Sequence, residues 1–194
     1  MITSTYLSVH ETVREVLARC GGAGPDAIEM SRFLTSTRLD PGSLQPWVRF
    51  APDRYTRHLV WKSPEVEVLV LCWAAGARAP IHGHEGELCW ARVERGALRF
   101  ANYREVSRSP LTLEAVGSTV VGAVGHLDGP ADLHAVDNSA ELGGGAVSLH
   151  VYCKPYDECD IYDVEHGLVR RVRLSYDSVP EPGSGLGVIP KRTR

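Results

Sequence analysis

The sequence predicts a mainly β protein, a jelly-roll β-barrel with N-terminal helices packed against its outside. Three observations point that way. From Tyr55 onward the chain is a series of short β-branched runs separated by turn residues, about eight in all, at the spacing of a double-sheet jelly roll. Helical periodicity is confined to roughly the first 50 residues. His82 and His84 stand two apart in a run that reads as strand, which puts both imidazoles on one face.

The elements follow in order. Val9, Val13, Val16 and Leu17 recur on one helical face, and the Gly21-Gly22 pair then stops the helix. A second helix is expected to open at Pro25 and Asp26, with proline in the first turn, and to carry Ile28, Phe33 and Leu34 inward. The expected strands are Arg57 to Trp61, Val66 to Trp73, Leu88 to Arg95, Ala97 to Tyr103, Ser118 to Val124, Leu133 to Val136, Ala146 to Tyr152 and Gly167 to Leu174. The tail after Val179, rich in Pro, Gly and terminal Lys/Arg, is expected to be mobile or laid over the surface.

A chain of 194 residues is long enough for one domain with a core and slightly short for two. One domain over 1–194 is therefore expected, with a helical segment over residues 1–50, a barrel over 51–178 and a tail over 179–194. Hydrophobic residues at 43% and charged ones at 23% exclude a disordered or membrane class. No apolar run approaches the ~20 residues that span a bilayer, and the N-terminus lacks the order of a signal peptide, so a cytoplasmic protein is expected. A formal charge of -3 with scattered Lys and Arg leaves no footprint for nucleic acid. The expected partner is a small molecule, with neither nucleic acid nor membrane, and a monomer is expected. Five cysteines form no C-x-x-C pair, and the odd count does not suit a disulfide framework. Cys20 and Cys72 read as small buried hydrophobes, while Cys153 and Cys159 flank the pocket strand and are left open.

The two histidines belong to a longer frame: Gly76, five residues, His82-Gly-His84, four residues, Cys89, six residues, Gly96. This frame resembles the first motif of the cupin superfamily, small barrels that hold a metal inside, with Cys89 at the usual glutamate position. Further segments narrow the match. They are Tyr55-Thr-Arg57, Leu71-Cys-Trp73, Asp132-Leu-His134-Ala-Val-Asp-Asn138, and Ser148-Leu-His150-Val-Tyr152 leading into Tyr156-Asp-Glu-Cys159. Together, from about Leu44 to about Asp177, they resemble the cysteine dioxygenase family of thiol dioxygenases.

The resemblance implies a cupin fold and a metal held by His82, His84 and His134, the last from the His-x-x-x-Asn end of the second cupin motif. The upstream half of that motif departs from the pattern, with Gly129 and Ala131 where proline and glycine are usual. Imidazole suits several transition metals, and the family favours Fe(2+). His126, eight residues before His134, is the main competing histidine, while His10, His58 and His166 read as solvated or locally bonded. The family further implies that Arg57 pairs with the substrate carboxylate, helped by Tyr55, and that His150 hydrogen-bonds the hydroxyl of Tyr152. Cys89 and Tyr152 match a pair that becomes a thioether in some members, and Trp73 and Leu174 are expected to shape the pocket wall. Relatives acting on 3-mercaptopropionate carry glutamine in place of Arg57.

The expected activity is therefore iron-dependent oxidation of L-cysteine by dioxygen to cysteine sulfinic acid, a step of cysteine catabolism. One departure bears on the substrate. Where the family commonly has Ser-Pro-Pro with a cis bond, this chain has Cys153-Lys154-Pro155, and a cis bond before Lys154 would cost ~3 kcal/mol, so a trans bond is expected. An oxygenase acting on another small thiol (3-mercaptopropionate or a thiol of specialised metabolism) is the alternative, and a non-catalytic metabolite-binding cupin a more distant one.

Overall fold

The computed structural model describes residues 5–21, 24–181 and 184–188. Helix α1 (Val9–Cys20) opens with a capping box, in which Ser8 Oγ accepts from the Glu11 amide and the Glu11 carboxylate accepts from the Ser8 amide. Its stripe of Val9, Val13 and Val16 is buried, Leu17 packs at the margin, and the helix stops at Gly21 as expected, Gly22 lying outside the described residues. Helix α2 (Ala27–Ser36) is capped by Asp26, whose Oδ1 accepts from the amides of Ile28 and Glu29. That cap corrects two expectations. Pro25 precedes the cap instead of filling the first turn, and Ile28 is 71% exposed. With the helix phased from Asp26, the stripe that faces inward is Met30, Phe33 and Leu34, and Ile28 falls on the opposite side. A parallel pair, β1 (Thr5–Leu7) with β2 (Thr37–Leu39), and the short α3 (Pro41–Leu44) complete this layer.

The rest is two facing sheets. β3 (Tyr55–Lys62), β4 (Val66–Trp73), β6 (Leu88–Arg95), β10 (Leu127–Asp128), β12 (Ala146–Cys153) and β15 (Gly187–Val188) form one sheet in the order β10-β6-β12-β4-β3-β15. β5 (Arg78–Gly83), β7 (Ala97–Arg108), β8 (Leu111–Ala115), β11 (Leu133–Asp137), β13 (Glu158–Asp163) and β14 (Leu168–Arg173) form the other, in the order β14-β13-β5-β11-β7-β8, with β9 (Val120–Ala123) pairing with the first residues of β7. β4 and β6 have the bounds expected from sequence. β7 runs five residues past Tyr103 to hairpin with β8, and β13 is not among the expected runs. Part of the tail joins the first sheet as β15, parallel to β3.

The first sheet is covered on both faces, so its central strands are buried along their whole length. Alternation sorts their residues into two cores. Val66, Val68, Val70 and Cys72 of β4, with Val147, Leu149, Val151 and Cys153 of β12, face outward against Val13, Val16, Met30 and Leu34 of the helices. Leu69, Leu71 and Trp73 of β4, with Cys89, Ala91 and Val93 of β6, face inward toward Ala79, Leu98, Phe100 and Val136 of the second sheet. Gly96 turns β6 into β7 at φ 73°, and a Cβ there would meet the Gly145 carbonyl at 2.9 Å. Among the described residues no helix is long and apolar enough to cross a membrane.

The helical layer is tied to the barrel by a buried ion pair. The Arg92 side chain, 1% exposed, donates Nε to Glu94, 2% exposed, while its Nη1 donates to Leu34 O and Thr37 Oγ1. Glu94 in turn accepts from the Leu39 amide at 3.1 Å. Removing one partner of such a pair strands a buried charge, whereas replacing both does not. Glu94→Ala is expected to lower stability by ~3–5 kcal/mol in urea unfolding, and Arg92→Met with Glu94→Leu to recover most of that loss.

Candidate active site

The two sheets bring the sequence-predicted residues to opposite walls of one interior. The second sheet supplies histidines. His82 lies in β5, and His84 is the first residue past it, since the strand ends at Gly83. His134 of β11 is the register partner of His82. The three rings pack edge to face with centroids 4.6 to 5.2 Å apart, and one ligand atom from each lies within 4.8 Å of the others.

Each ring is held through its Nδ1. That atom donates to Pro80 O in His82 (2.9 Å), to Ala131 O in His84 (2.8 Å) and to an Asp128 carboxylate oxygen in His134 (2.9 Å). A carbonyl or carboxylate oxygen can only accept, so the proton is on Nδ1 and the Nε2 lone pair is free. The Nε2 atoms of His84 and His134 are buried without any hydrogen-bond partner among the described residues. Burial, reinforced by the neighbouring imidazoles, holds His82 well below the usual histidine range and His84 at about 3, so both are neutral at pH 7. Three imidazoles that each bring a ligand atom within 4.8 Å of the others fit a transition metal ion.

Asp128 escaped the sequence reading because it ends β10, a two-residue strand at the edge of the other sheet. Its second oxygen accepts from Asn102 Nδ2 at 3.0 Å. Gly129, at φ 108°, allows the approach: a Cβ there would lie 2.3 Å from the Cys89 carbonyl. The Gly129 and Ala131 departures from the usual motif thus belong to this crossing, and Ala131 itself supplies the acceptor for His84.

The first sheet supplies the other wall. Tyr152 on β12 is flanked in register by Glu67 of β4 and Cys89 of β6. Tyr152 and Cys89 are thus direct cross-strand neighbours, and both side chains are buried in the inner core. Burial pushes both acids up, Tyr152 far above the usual phenol range. Behind the tyrosine runs a chain of hydrogen bonds: Trp73 Nε1 to Ser148 Oγ (2.9 Å), Ser148 to His150 Nε2 (2.9 Å), and His150 Nδ1 to the Tyr152 hydroxyl (3.2 Å). Indole N–H only donates, so one arrangement uses every donor: Ser148 donates to Nε2, and Nδ1–H donates to the tyrosine oxygen. The phenol proton is then free to point into the site. The sequence motif contains Ser148 but gives it no role, although its parity with His150 and Tyr152 marks the same strand face.

Arg57 enters from β3. Its backbone is gripped by the C-terminal segment: the Arg57 amide donates to the Asp177 carboxylate (2.8 Å), and the Asp177 amide donates to Arg57 O (2.7 Å). Its guanidinium is mostly buried, with Nε unpartnered among the described residues and Nη2 3.8 Å from Glu67. Glu67 is shared, since Lys62 Nζ lies 3.4 Å away and the Tyr176 hydroxyl donates to it. Tyr55 stacks on Trp73 with centroids 4.8 Å apart. A cavity of about 440 Å³ opens between the walls, lined by Tyr55, Arg57, His82, Tyr156, Cys159 and Leu174 among others. Trp73 lies behind Tyr55, away from that lining, and Leu174 forms part of it as expected.

The remaining histidines stay outside the cluster. His126 packs on Phe100, His10 and His166 bond exposed partners, and His58 is buried rather than solvated, bonded to Ser178 Oγ and Arg49 O. The Cys153–Lys154 bond is trans as expected, with Lys154 in the left-handed region at φ 67°.

The chain is similar to known proteins over most of its length. The family model described as cysteine dioxygenase type I matches residues 2–165. Cysteine dioxygenase type 1 of Homo sapiens is 25% identical over 153 residues, covering 77% of this chain and 76% of the human protein. The Danio rerio protein of the same name is 25% identical over 152 residues, covering 76% and 75%. Among solved structures, a cupin superfamily protein from Desulfitobacterium hafniense DCB-2 overlays 56% of this chain and 84% of its own, with 11% identity and a TM-score of 0.42. With most of its length matched, the chain belongs to the cysteine dioxygenase type I family and is a cysteine dioxygenase-like enzyme.

Proposed function

We propose that the protein oxidises L-cysteine with dioxygen to cysteine sulfinic acid, using Fe(2+) held by His82, His84 and His134. The observation that carries this reading is a buried guanidinium, Arg57, with a vacant Nε and only a shared carboxylate at 3.8 Å, lining the same cavity as His82. Ferrous iron, when bound, supplies an uncompensated double positive charge that favours a substrate thiolate and activates dioxygen.

The chain's own residues do the rest. Arg57 takes the substrate carboxylate, replacing a weak contact with a charge-assisted fork, and Tyr55 stacked on Trp73 fixes the wall beside it. The thiol end is thereby directed to the histidine wall. Burial of His84, His134 and Tyr152 excludes water, which would divert an activated oxidant. Tyr152, oriented by His150 and Ser148, presents its proton to oxygen near the substrate sulfur. Both oxygen atoms finish on sulfur, so thiol plus dioxygen balances as sulfinic acid. Arg57 could equally take the carboxylate of another small thiol such as 3-mercaptopropionate, which is the second reading.

Oxygen uptake by iron-loaded protein across a panel of thiols tests the proposal, with cysteine expected as the best substrate and its sulfinate as the product. Arg57→Ala should lower kcat/KM for cysteine by ~30-fold or more, since breaking a desolvated charge pair costs ~2–5 kcal/mol. Cysteamine, which lacks the carboxylate, should change far less. Equal losses would make Arg57 structural.

Asp128→Asn keeps the shape but not the charge that polarises His134. Iron affinity is expected to fall ~10–100-fold, read by competition with a chelator, and Asp128→Ala should fall at least as far. An unchanged affinity would separate Asp128 from the site.

Joining Cys89 Sγ to the Tyr152 ring carbon beside the hydroxyl would remove two hydrogens, with dioxygen as the acceptor. Extended turnover should yield a species about two mass units lighter, resistant to thiol reductants and absent from Cys89→Ser and Tyr152→Phe. Cys89→Ser should retain a reduced rate. A freely alkylatable Cys89 after long turnover would rule the link out.

A further inference from the structure

Cys20 and Cys153 meet on the outer side of the first sheet, away from the catalytic cavity. Cys20 is the last residue of α1 and Cys153 the last of β12, 133 positions apart, and their sulfurs are 3.1 Å from each other. A disulfide has S–S near 2.05 Å, so about 1 Å of side-chain movement would close it. Both thiols belong to the core between helices and sheet, yet both also line a second cavity, of about 460 Å³, together with Pro64, Glu87 and Lys154. Small polar oxidants have a route to them that the packing density of a sealed core would deny.

We propose that Cys20 and Cys153 are a site of reversible oxidative modification, a dithiol that hydrogen peroxide closes to a disulfide linking α1 to β12. The Cys20 thiolate attacks the peroxide O–O bond, giving a sulfenic acid and one water. The Cys153 sulfur then displaces the sulfenic hydroxyl as a second water. Two thiols lose two electrons and two protons, and peroxide takes both. The order of attack follows from the contact: within the pair the Cys20 thiol is held below the usual range and that of Cys153 is pushed up. Burial instead raises the thiols of Cys72, Cys89 and Cys159. The bond would pin the chain immediately after Tyr152, before the Lys154 turn, without touching any group in the catalytic cavity. This holds whichever thiol the enzyme oxidises.

The test is brief peroxide treatment of the substrate-free holoenzyme under nitrogen, a catalase quench, alkylation of the denatured chain and peptide mapping. A linked peptide joining Cys20 to Cys153 is expected in most chains, two mass units below the sum of its parts and split by dithiothreitol, which separates it from any thioether at Cys89. Cross-linking a loop of this length should raise the unfolding temperature by about 5–15 °C, reversed by dithiothreitol and absent from Cys20→Ala treated alike. Two outcomes overturn the proposal: both thiols still alkylatable after peroxide has modified other cysteines, or oxidation of either to sulfinic acid with no linked peptide.

Discussion

Everything in the site depends on bringing a ligand atom from each of three imidazoles together inside the barrel. An unpaired ring nitrogen is costly to bury, and here two are buried. The fold meets that cost by fixing the opposite nitrogen of each ring with an acceptor that cannot itself donate, two carbonyls and a carboxylate. The acceptors come from separate places: the β5 backbone, the loop before β11, and Asp128 at the end of β10. The loop crossing at Gly129 is therefore as much a part of the centre as the histidines.

The same economy of faces governs β12. Its inward residues are Ser148, His150 and Tyr152, and its outward ones are Val147, Leu149, Val151 and Cys153, packed under the helices. A strand that presents polar groups to a cavity on one side needs apolar cover on the other to hold its position. The helical layer provides that cover, and the Arg92–Glu94 pair holds the layer in place. Thus the N-terminal elements, which contribute no group to the cavity, determine how firmly the tyrosine wall is held.

Much of this was legible in the sequence, for definite reasons. β4 and β6 were read to the residue because largely apolar runs are bounded by turn-formers. His82 and His84 were found because strand parity and short spacing survive any fold that keeps them extended. The misses have physical causes too. β1, β2 and α3 are too short to show a period, and β13 carries three acidic residues that read as loop. Ile28 was placed inward because the helix phase is set by Asp26, a cap whose effect on register apolar spacing alone does not show. Asp128 and Glu67 could be ranked only by contact, since each reaches its partner from another strand. Glu67 left a trace in sequence as the lone charge in an apolar run.

The grip of Asp177 on Arg57 separates two capacities along the polypeptide. All three histidines lie within residues 82 to 134, whereas the backbone of the carboxylate-facing arginine is clasped by a segment beyond the end of β14, past the residues 2–165 that the family model spans. Under the proposed function, ion capture and ligand discrimination draw on different stretches of chain. Variation in the final segment would then retune which molecule is admitted while leaving the three-histidine cluster intact.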